Sequence, residues 1–167
     1  AMRTPQGVVF ALKLPQTREP ELHPGMLLLD RIQDPGNLGT ILRTADAFDI
    51  PVVLTNGCAD PFSEKTVRAS MGAVFRTPPQ SIDLEKLLKL CAEKDLPLAA
   101  TALSPTARDI REVELSDKLT VIGSEGQGIC AELLAASQTQ VIIPMSPRCE
   151  SLNAAVAAAL VLWQMKR

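Results

Sequence analysis

Met26-Leu27-Leu28-Leu29-Asp30, a turn at Asp34-Pro35-Gly36, then Asn37-Leu38-Gly39-Thr40-Ile41-Leu42-Arg43-Thr44-Ala45-Asp46-Ala47-Phe48: the reading of the fold turns on this stretch. The first run is short and apolar up to Asp30, which fits a strand covered on both faces. In the second, Leu38, Ile41, Leu42, Ala45 and Phe48 recur at helical spacing. Together they make one βα unit, and the alternation continues outward from it. Residues 51–54 read as the next strand, 63–71 as a short helix and 73–76 as a brief strand. Leu84, Leu87, Leu88 and Cys91 mark an amphipathic helix opened by Asp83. Residues 96–101, 119–123 and 140–144 are three further apolar runs, with helices expected over 130–137 and 151–167. Apolar strands separated by helices predict an α/β fold with a mostly parallel sheet and helices on both faces.

The proline-rich residues 1–24, with Pro15, Pro20 and Pro24, read as an extended lead-in carrying one short strand over 7–14. Residues 25–167 read as the folded domain. A chain of 167 residues that is 46% hydrophobic supports one substantial core and leaves too little for two. The formal net charge of -2 argues against a protein that coats nucleic acid through a generally basic surface. Any RNA contact must be local, and the candidates are Arg31, Arg43, Lys65, Arg68, Arg76 and Arg148. With 3% aromatic residues and no tyrosine, base-stacking platforms are scarce. Cys58, Cys91, Cys130 and Cys149 form no CxxC pair, and His23 is the lone histidine, so no metal site is expected. Reduced thiols, no signal-peptide pattern and a longest apolar run, over 154–163, of about half a membrane span predict a cytoplasmic protein with no membrane partner.

Three stretches carry the chemistry. In the first, Asn37 stands where a helix N-cap is expected, and Arg43 lies within the first two helical turns beside apolar residues. On spacing alone Arg43 is either a solvated surface residue or an anion clamp. The second, Gly123-Ser124-Glu125-Gly126-Gln127-Gly128, follows a strand and precedes a helix, where glycines let backbone amides approach a ligand. It contains neither the G-x-G-x-x-G of a dinucleotide fold nor the G-K-[ST] of a P-loop. Glu125 in such a turn suits an orienting partner for an arginine such as Arg43. In the third, Ser151-Leu152-Asn153-Ala154-Ala155-Val156-Ala157, Ser151 is the expected N-cap of the terminal helix and Asn153 lies in its first turn. The alanines from 154 to 159 permit close packing by another backbone.

In this order, each behind an apolar run, the three stretches resemble the signature motifs of the SpoU (TrmH-like) RNA ribose 2′-O-methyltransferases of the SPOUT superfamily, over roughly residues 25–167. Two smaller matches agree: Ser63 to Ala73 resembles the S-x-x-x-x-R-x-S-x-G-A segment near the RNA face, and Thr101-Ala102-Leu103 ends a strand that usually meets the cofactor. The resemblance implies a C-terminal trefoil knot, S-adenosylmethionine as cofactor, no metal, and transfer of methyl to a ribose 2′-hydroxyl. Arg43 occupies the position of the family's catalytic arginine, with Glu125 orienting it, Asn153 positioning the ribose, and Ser151 and Asn37 beside them. Thr101, Ala102, Leu103, Gly123, Ile143, Met145 and Leu152 are the implied cofactor-binding residues, and Arg43, Lys65, Arg68 and Arg76 the implied RNA-binding ones. The implied assembly is a homodimer packed through the C-terminal helix, with RNA across the subunits. The expected substrate is ribosomal RNA. Transfer RNA, a non-catalytic RNA-binding module of the same fold, and a small-molecule methyltransferase are the alternatives. Many relatives carry an RNA-binding domain upstream, which leaves open that this chain is a catalytic piece. One departure from the pattern is the loop Ser146-Pro147-Arg148-Cys149, where members often have a glycine soon after Pro-Met.

Overall fold

A computed structural model describes residues 13–14 and 20–167, so the strand expected over 7–14 lies outside the described residues. Seven strands form one sheet: β1 (Leu27–Asp30), β2 (Val52–Thr55), β3 (Gln80–Ile82), β4 (Leu98–Thr101), β5 (Arg108–Asp109), β6 (Leu119–Gly123) and β7 (Thr139–Ile142). Their order across the sheet is β3-β2-β1-β6-β4-β7-β5, and every ladder is parallel. The α-helices among the described residues are α1 (Pro35–Ala47), α2 (Glu64–Ser70), α3 (Ala73–Arg76), α4 (Leu84–Glu93), α5 (Ala131–Ala136) and α6 (Ala154–Met165). The α/β architecture expected from the apolar runs is the one observed.

The two-residue period of the strands divides the apolar side chains between two cores. Leu27, Leu29, Val52, Leu54 and Ile122 pack with α1 and α6 on one face, around Leu38, Ile41, Leu42, Ala158, Val161 and Leu162. Leu28, Val53, Leu98, Leu119 and Val121 pack on the other with Leu87 and Cys91 of α4 and Leu133 of α5. Uninterrupted leucine in β1 follows from this, because both of its faces are covered. On the first face α1 meets α2 at Gly39, where a Cβ would lie 2.5 Å from the Thr66 carbonyl oxygen and 2.6 Å from the Ala69 Cβ.

Local chemistry sets the helix ends. Asp83 caps α4, its Oδ1 accepting from the Glu85 and Lys86 amides. The helix α1 is capped by Asp34, which accepts from the Asn37 amide at 2.8 Å, and not by Asn37 itself. Pro35 decides this: its fixed φ and missing N–H suit the first helical position, which makes the preceding residue the cap. The terminal helix is capped by Asn153, not Ser151; its Oδ1 accepts from the Ala155 and Val156 amides. Residues 73–76, expected as a strand, form α3 instead. Met71 (φ 51) and Gly72 (φ 84) are consecutive left-handed residues that stop α2 and turn the chain straight into another helical turn. The strands β3 and β5 were not expected; the first is three residues and partly polar, the second only two.

Candidate functional site

Strands β4, β6 and β7 lie next to one another or one strand apart, and their C-terminal ends open into one cavity of about 430 Å³. Crevices at the carboxyl ends of parallel strands are where open α/β sheets bind ligands. Thr101, Ala102 and Leu103 line it after β4, the whole stretch Ile122 to Ile129 after β6, and Val141 to Ile143, Met145, Ser151 and Leu152 after β7. All seven residues expected at a cofactor, Thr101, Ala102, Leu103, Gly123, Ile143, Met145 and Leu152, line this single cavity, as do Glu125 and Ser151. Ala154 and Ala157 of α6 form part of the wall.

The wall made by the glycine loop is a tight turn. Ser124 and Gly128 exchange backbone hydrogen bonds, at 3.2 and 3.0 Å, and Ser124 Oγ accepts from the Gln127 amide at 3.2 Å. Gly128 has φ 67. A Cβ on Gly123 would sit 2.3 Å from both the Gly128 carbonyl carbon and the Ile129 nitrogen, so the closed turn demands glycine there.

A chain of side-chain amides joins the three motifs. Asn153 Nδ2 donates to Asn37 Oδ1 at 3.0 Å, and Asn37 Nδ2 donates to Glu125 Oε1 at 2.5 Å. Asn153 spends its other end, Oδ1, on capping α6. An amide side chain offers donors and an acceptor at once, which is what this double duty requires. Glu125 was expected to orient Arg43; its carboxylate is instead held by Asn37. Arg43 stands exposed on α1, six residues beyond Asn37, and among the described residues it has no hydrogen-bond or ion-pair partner. It does not line the cavity.

The other three basic residues expected at RNA are paired. Lys65 reaches Asp34 at 2.8 Å, Arg68 reaches Glu64 one turn away, and Arg76 Nε reaches Asp46 at 2.9 Å. The hydrogen bond from Lys65 holds the Asp34 carboxyl below the usual carboxylate range, and Arg76 does the same for Asp46. Burial pushes the Cys91 thiol up to about 11 and raises Cys58 and Cys130 as well, so these three thiols stay protonated at neutral pH. Among the described residues no cluster of three or more His, Cys, Asp and Glu is placed to hold a metal ion, and no helix is long and apolar enough to cross a membrane.

In the sequence Asp30 is merely the end of an apolar run and Arg31 one of six candidate RNA contacts. Asp30 is 1% exposed. Its Oδ1 accepts from Thr55 Oγ1 at 3.0 Å, and its Oδ2 from the Cys130 amide at 2.8 Å and from Arg31. The available signal was a carboxylate closing a strand in which every other residue is apolar, since a buried charge needs partners.

Comparison with known proteins agrees with this geometry. Residues 24–163 match the SpoU rRNA Methylase family. The chain is 42% identical over 168 residues to an uncharacterized tRNA/rRNA methyltransferase of Synechocystis, covering 98% of this chain and 61% of that protein. It is 34% identical over 165 residues to a 23S rRNA guanosine 2′-O-methyltransferase of Bacillus subtilis, covering 98% and 66% respectively. An AdoMet-bound rRNA methyltransferase from Sinorhizobium meliloti superimposes with a TM-score of 0.80 at 35% identity, over 89% of this chain and 58% of the other. The chain thus spans roughly three fifths to two thirds of the length of these relatives. With two of the motifs lining one cavity, the first hydrogen-bonded to both, and the match running over residues 24–163, the chain belongs to the SpoU rRNA Methylase family.

Proposed function

We propose that residues 25–167 form a catalytic domain that binds S-adenosylmethionine in the cavity and transfers its methyl group to a ribose 2′-hydroxyl of structured RNA. One observation carries the reading: the second and third motif stretches and the end of β4 line a single cavity, and the Asn153–Asn37–Glu125 chain ties the first motif to its wall. The residues fit the cofactor. The volume is in the range of small-molecule sites, on the order of 300–1,000 Å³. Leu103, Ile143, Met145 and Leu152 offer an apolar surface suited to a purine, with Glu125 and Ser151 as polar groups among them. The cofactor supplies an electrophilic methyl on a sulfonium, so displacement by the ribose oxygen needs no covalent enzyme intermediate.

Alignment and charge remain for the protein to provide. Holding reactants at attack distance is worth up to roughly 7–11 kcal/mol in favourable cases. Arg43 is always protonated and makes a poor base, but a guanidinium with no partner among the described residues is open to an external oxyanion or phosphate. Its role here is to hold the phosphate beside the ribose and stabilise negative charge on the attacking oxygen, while the hydroxyl proton passes to water or phosphate. Asn37 and Glu125 fix the first turn of α1 against the glycine loop. Lys65, Arg68 and Arg76 extend the RNA face; exposed ion pairs are worth about 1 kcal/mol or less, so their carboxylates yield readily to phosphate.

Ribosomal RNA is the substrate favoured by the Bacillus subtilis relative's name, with transfer RNA the second reading. A homodimer through α6 belongs to the same proposal: Val156, Leu160 and Trp163 are 50%, 44% and 62% exposed and lie on one stripe. So do a cytoplasmic setting and the trefoil knot, the latter supported by the match to the family. The test is calorimetry with S-adenosylmethionine, then tritium transfer to total RNA from cells lacking the protein. Binding and RNA labelling are expected, with Arg43→Ala reducing turnover at saturating RNA by about 100-fold or more while cofactor affinity holds. Near-normal transfer by that variant at saturating RNA overturns the assignment of Arg43.

A further inference from the structure

Behind the glycine loop lies a second ionic arrangement that touches no motif residue expected to be catalytic. Asp30 closes β1 with its carboxylate buried. Arg31 follows in a left-handed conformation, φ 56, which is uncommon for residues other than glycine. Its amide donates to Thr55 Oγ1 at 3.2 Å, and its Nε and Nη2 donate to Asp30 Oδ2 at 3.3 and 3.2 Å. The guanidinium then reaches across 96 residues of sequence: Nη1 donates to Gln127 Oε1 at 2.9 Å and Nη2 to the Gly128 carbonyl at 3.3 Å. Gly57, at φ 93, lies against the stem, where a Cβ would come within 3.2 Å of Arg31 Cγ. Asp30 meanwhile accepts the Cys130 amide just beyond the same loop.

We infer that Arg31, backed by the buried Asp30 carboxylate, is a positioning residue that holds the loop Ser124–Gly128 in the form that makes the cavity wall. The physical reasons are two. The loop's own cross-links are the Ser124–Gly128 bridge and one serine hydroxyl, and Gly126 has nothing within 4 Å of where a side chain would start. A loop so sparsely contacted needs an outside anchor to keep one conformation. Second, Arg31 is itself immobilised: its charge is balanced by a carboxylate that two other groups, the Thr55 hydroxyl and the Cys130 amide, also fix, and a planar fork with several donors can bind the carboxylate and two loop oxygens together. A lysine has no such fork.

The inference rests on the reading of the cavity as the S-adenosylmethionine site, and the experiment separates the two. Amide hydrogen exchange and calorimetric S-adenosylmethionine binding are measured on the wild type, Arg31→Ala and Arg31→Lys. In Arg31→Ala the amides of 125–128 are expected to exchange at least tenfold faster, with β1 and β6 unchanged, and the cofactor dissociation constant to rise at least tenfold. Arg31→Lys is expected to restore little of either, whereas a role in net charge alone predicts full rescue. Unaltered loop exchange in Arg31→Ala overturns the clamp, as does loosening spread evenly over the whole sheet. If the loop loosens selectively but the wild type binds no S-adenosylmethionine, the clamp stands and the cofactor reading falls.

Discussion

Gly123 and Gly126 stand three residues apart in one loop and face opposite constraints. At Gly123 an added Cβ meets backbone at 2.3 Å, and backbone cannot rotate away; at Gly126 it meets open space. Gly123→Ala is therefore expected to force the turn open, at a strain of roughly 1–3 kcal/mol, and to abolish measurable S-adenosylmethionine binding in calorimetry. Gly126→Ala in the same assay should bind as the wild type does. A result in which both variants bind normally would show that the wall's shape does not matter to the ligand. At this scale the motif residues were easy to find and their partners were not. The sequence advertises Glu125 and Arg43 as a charge pair, because opposite charges in two functional loops invite it. The folded chain gives Glu125 to Asn37, since the first turn of α1 is what faces the loop and Arg43 lies nearly two turns further on. For Arg31 the sequence offers only a candidate RNA contact, because its carboxylate partner is disclosed only when the strand end is buried.

Among the elements, α1 and α4 end in the same way. Each stops in an aspartate at positive φ, Asp49 at 53° and Asp95 at 49°, followed by an apolar residue and a proline: Asp49-Ile50-Pro51 and Asp95-Leu96-Pro97. In both, the residue after the aspartate sends its amide back to a carbonyl of the last turn, Ile50 to Ala45 at 3.0 Å and Leu96 to Cys91 at 2.9 Å. That is the Schellman closure, in which the left-handed position favours glycine. Asp49→Gly and Asp95→Gly should each stabilise the protein by roughly 0.5–1 kcal/mol. For a chain this size the melting midpoint should rise by about 1–4 °C per site, read by thermal unfolding. No rise at either site would mean that the aspartate side chains offset the backbone cost. The alternation of strand and helix was legible here because the sheet is covered on both faces and its strands are bare apolar runs. The short pieces were not. Ala73-Val74-Phe75 fits a strand as well as a helical turn, and only the two left-handed residues before it, one of them a methionine, direct it to helix.

For the whole molecule, the division of apolar side chains into two cores leaves one stripe uncovered. Val156, Leu160 and Trp163 project from α6 with Phe48 packed edge-on to the Trp163 ring at 5.9 Å. If this stripe is the subunit contact, Leu160→Glu places a charge at its centre, and sedimentation at micromolar concentration should change from dimer to monomer. The far-UV spectrum should stay the same, because the opposite face of the helix, with Ala158, Val161 and Leu162, still fills the core. A wild-type monomer under the same conditions would remove the interface. Burial patterns in the sequence pointed to this helix as apolar all round. They could not say that one side was spare, since a helix sunk in the core and a helix shared between copies have the same composition.

The position of α6 has one more consequence. Ala154 and Ala157 are wall to the cavity, while the neighbouring residues on the rod form the uncovered stripe. In the proposed dimer, whatever slides or tilts this rod is felt on both sides, so filling the pocket and pairing of copies would draw on a common mechanical part. Thermodynamic reciprocity then fixes the sign between them: should donor occupancy tighten the association of two copies, dilution into monomers must weaken the grip on the donor by the same factor.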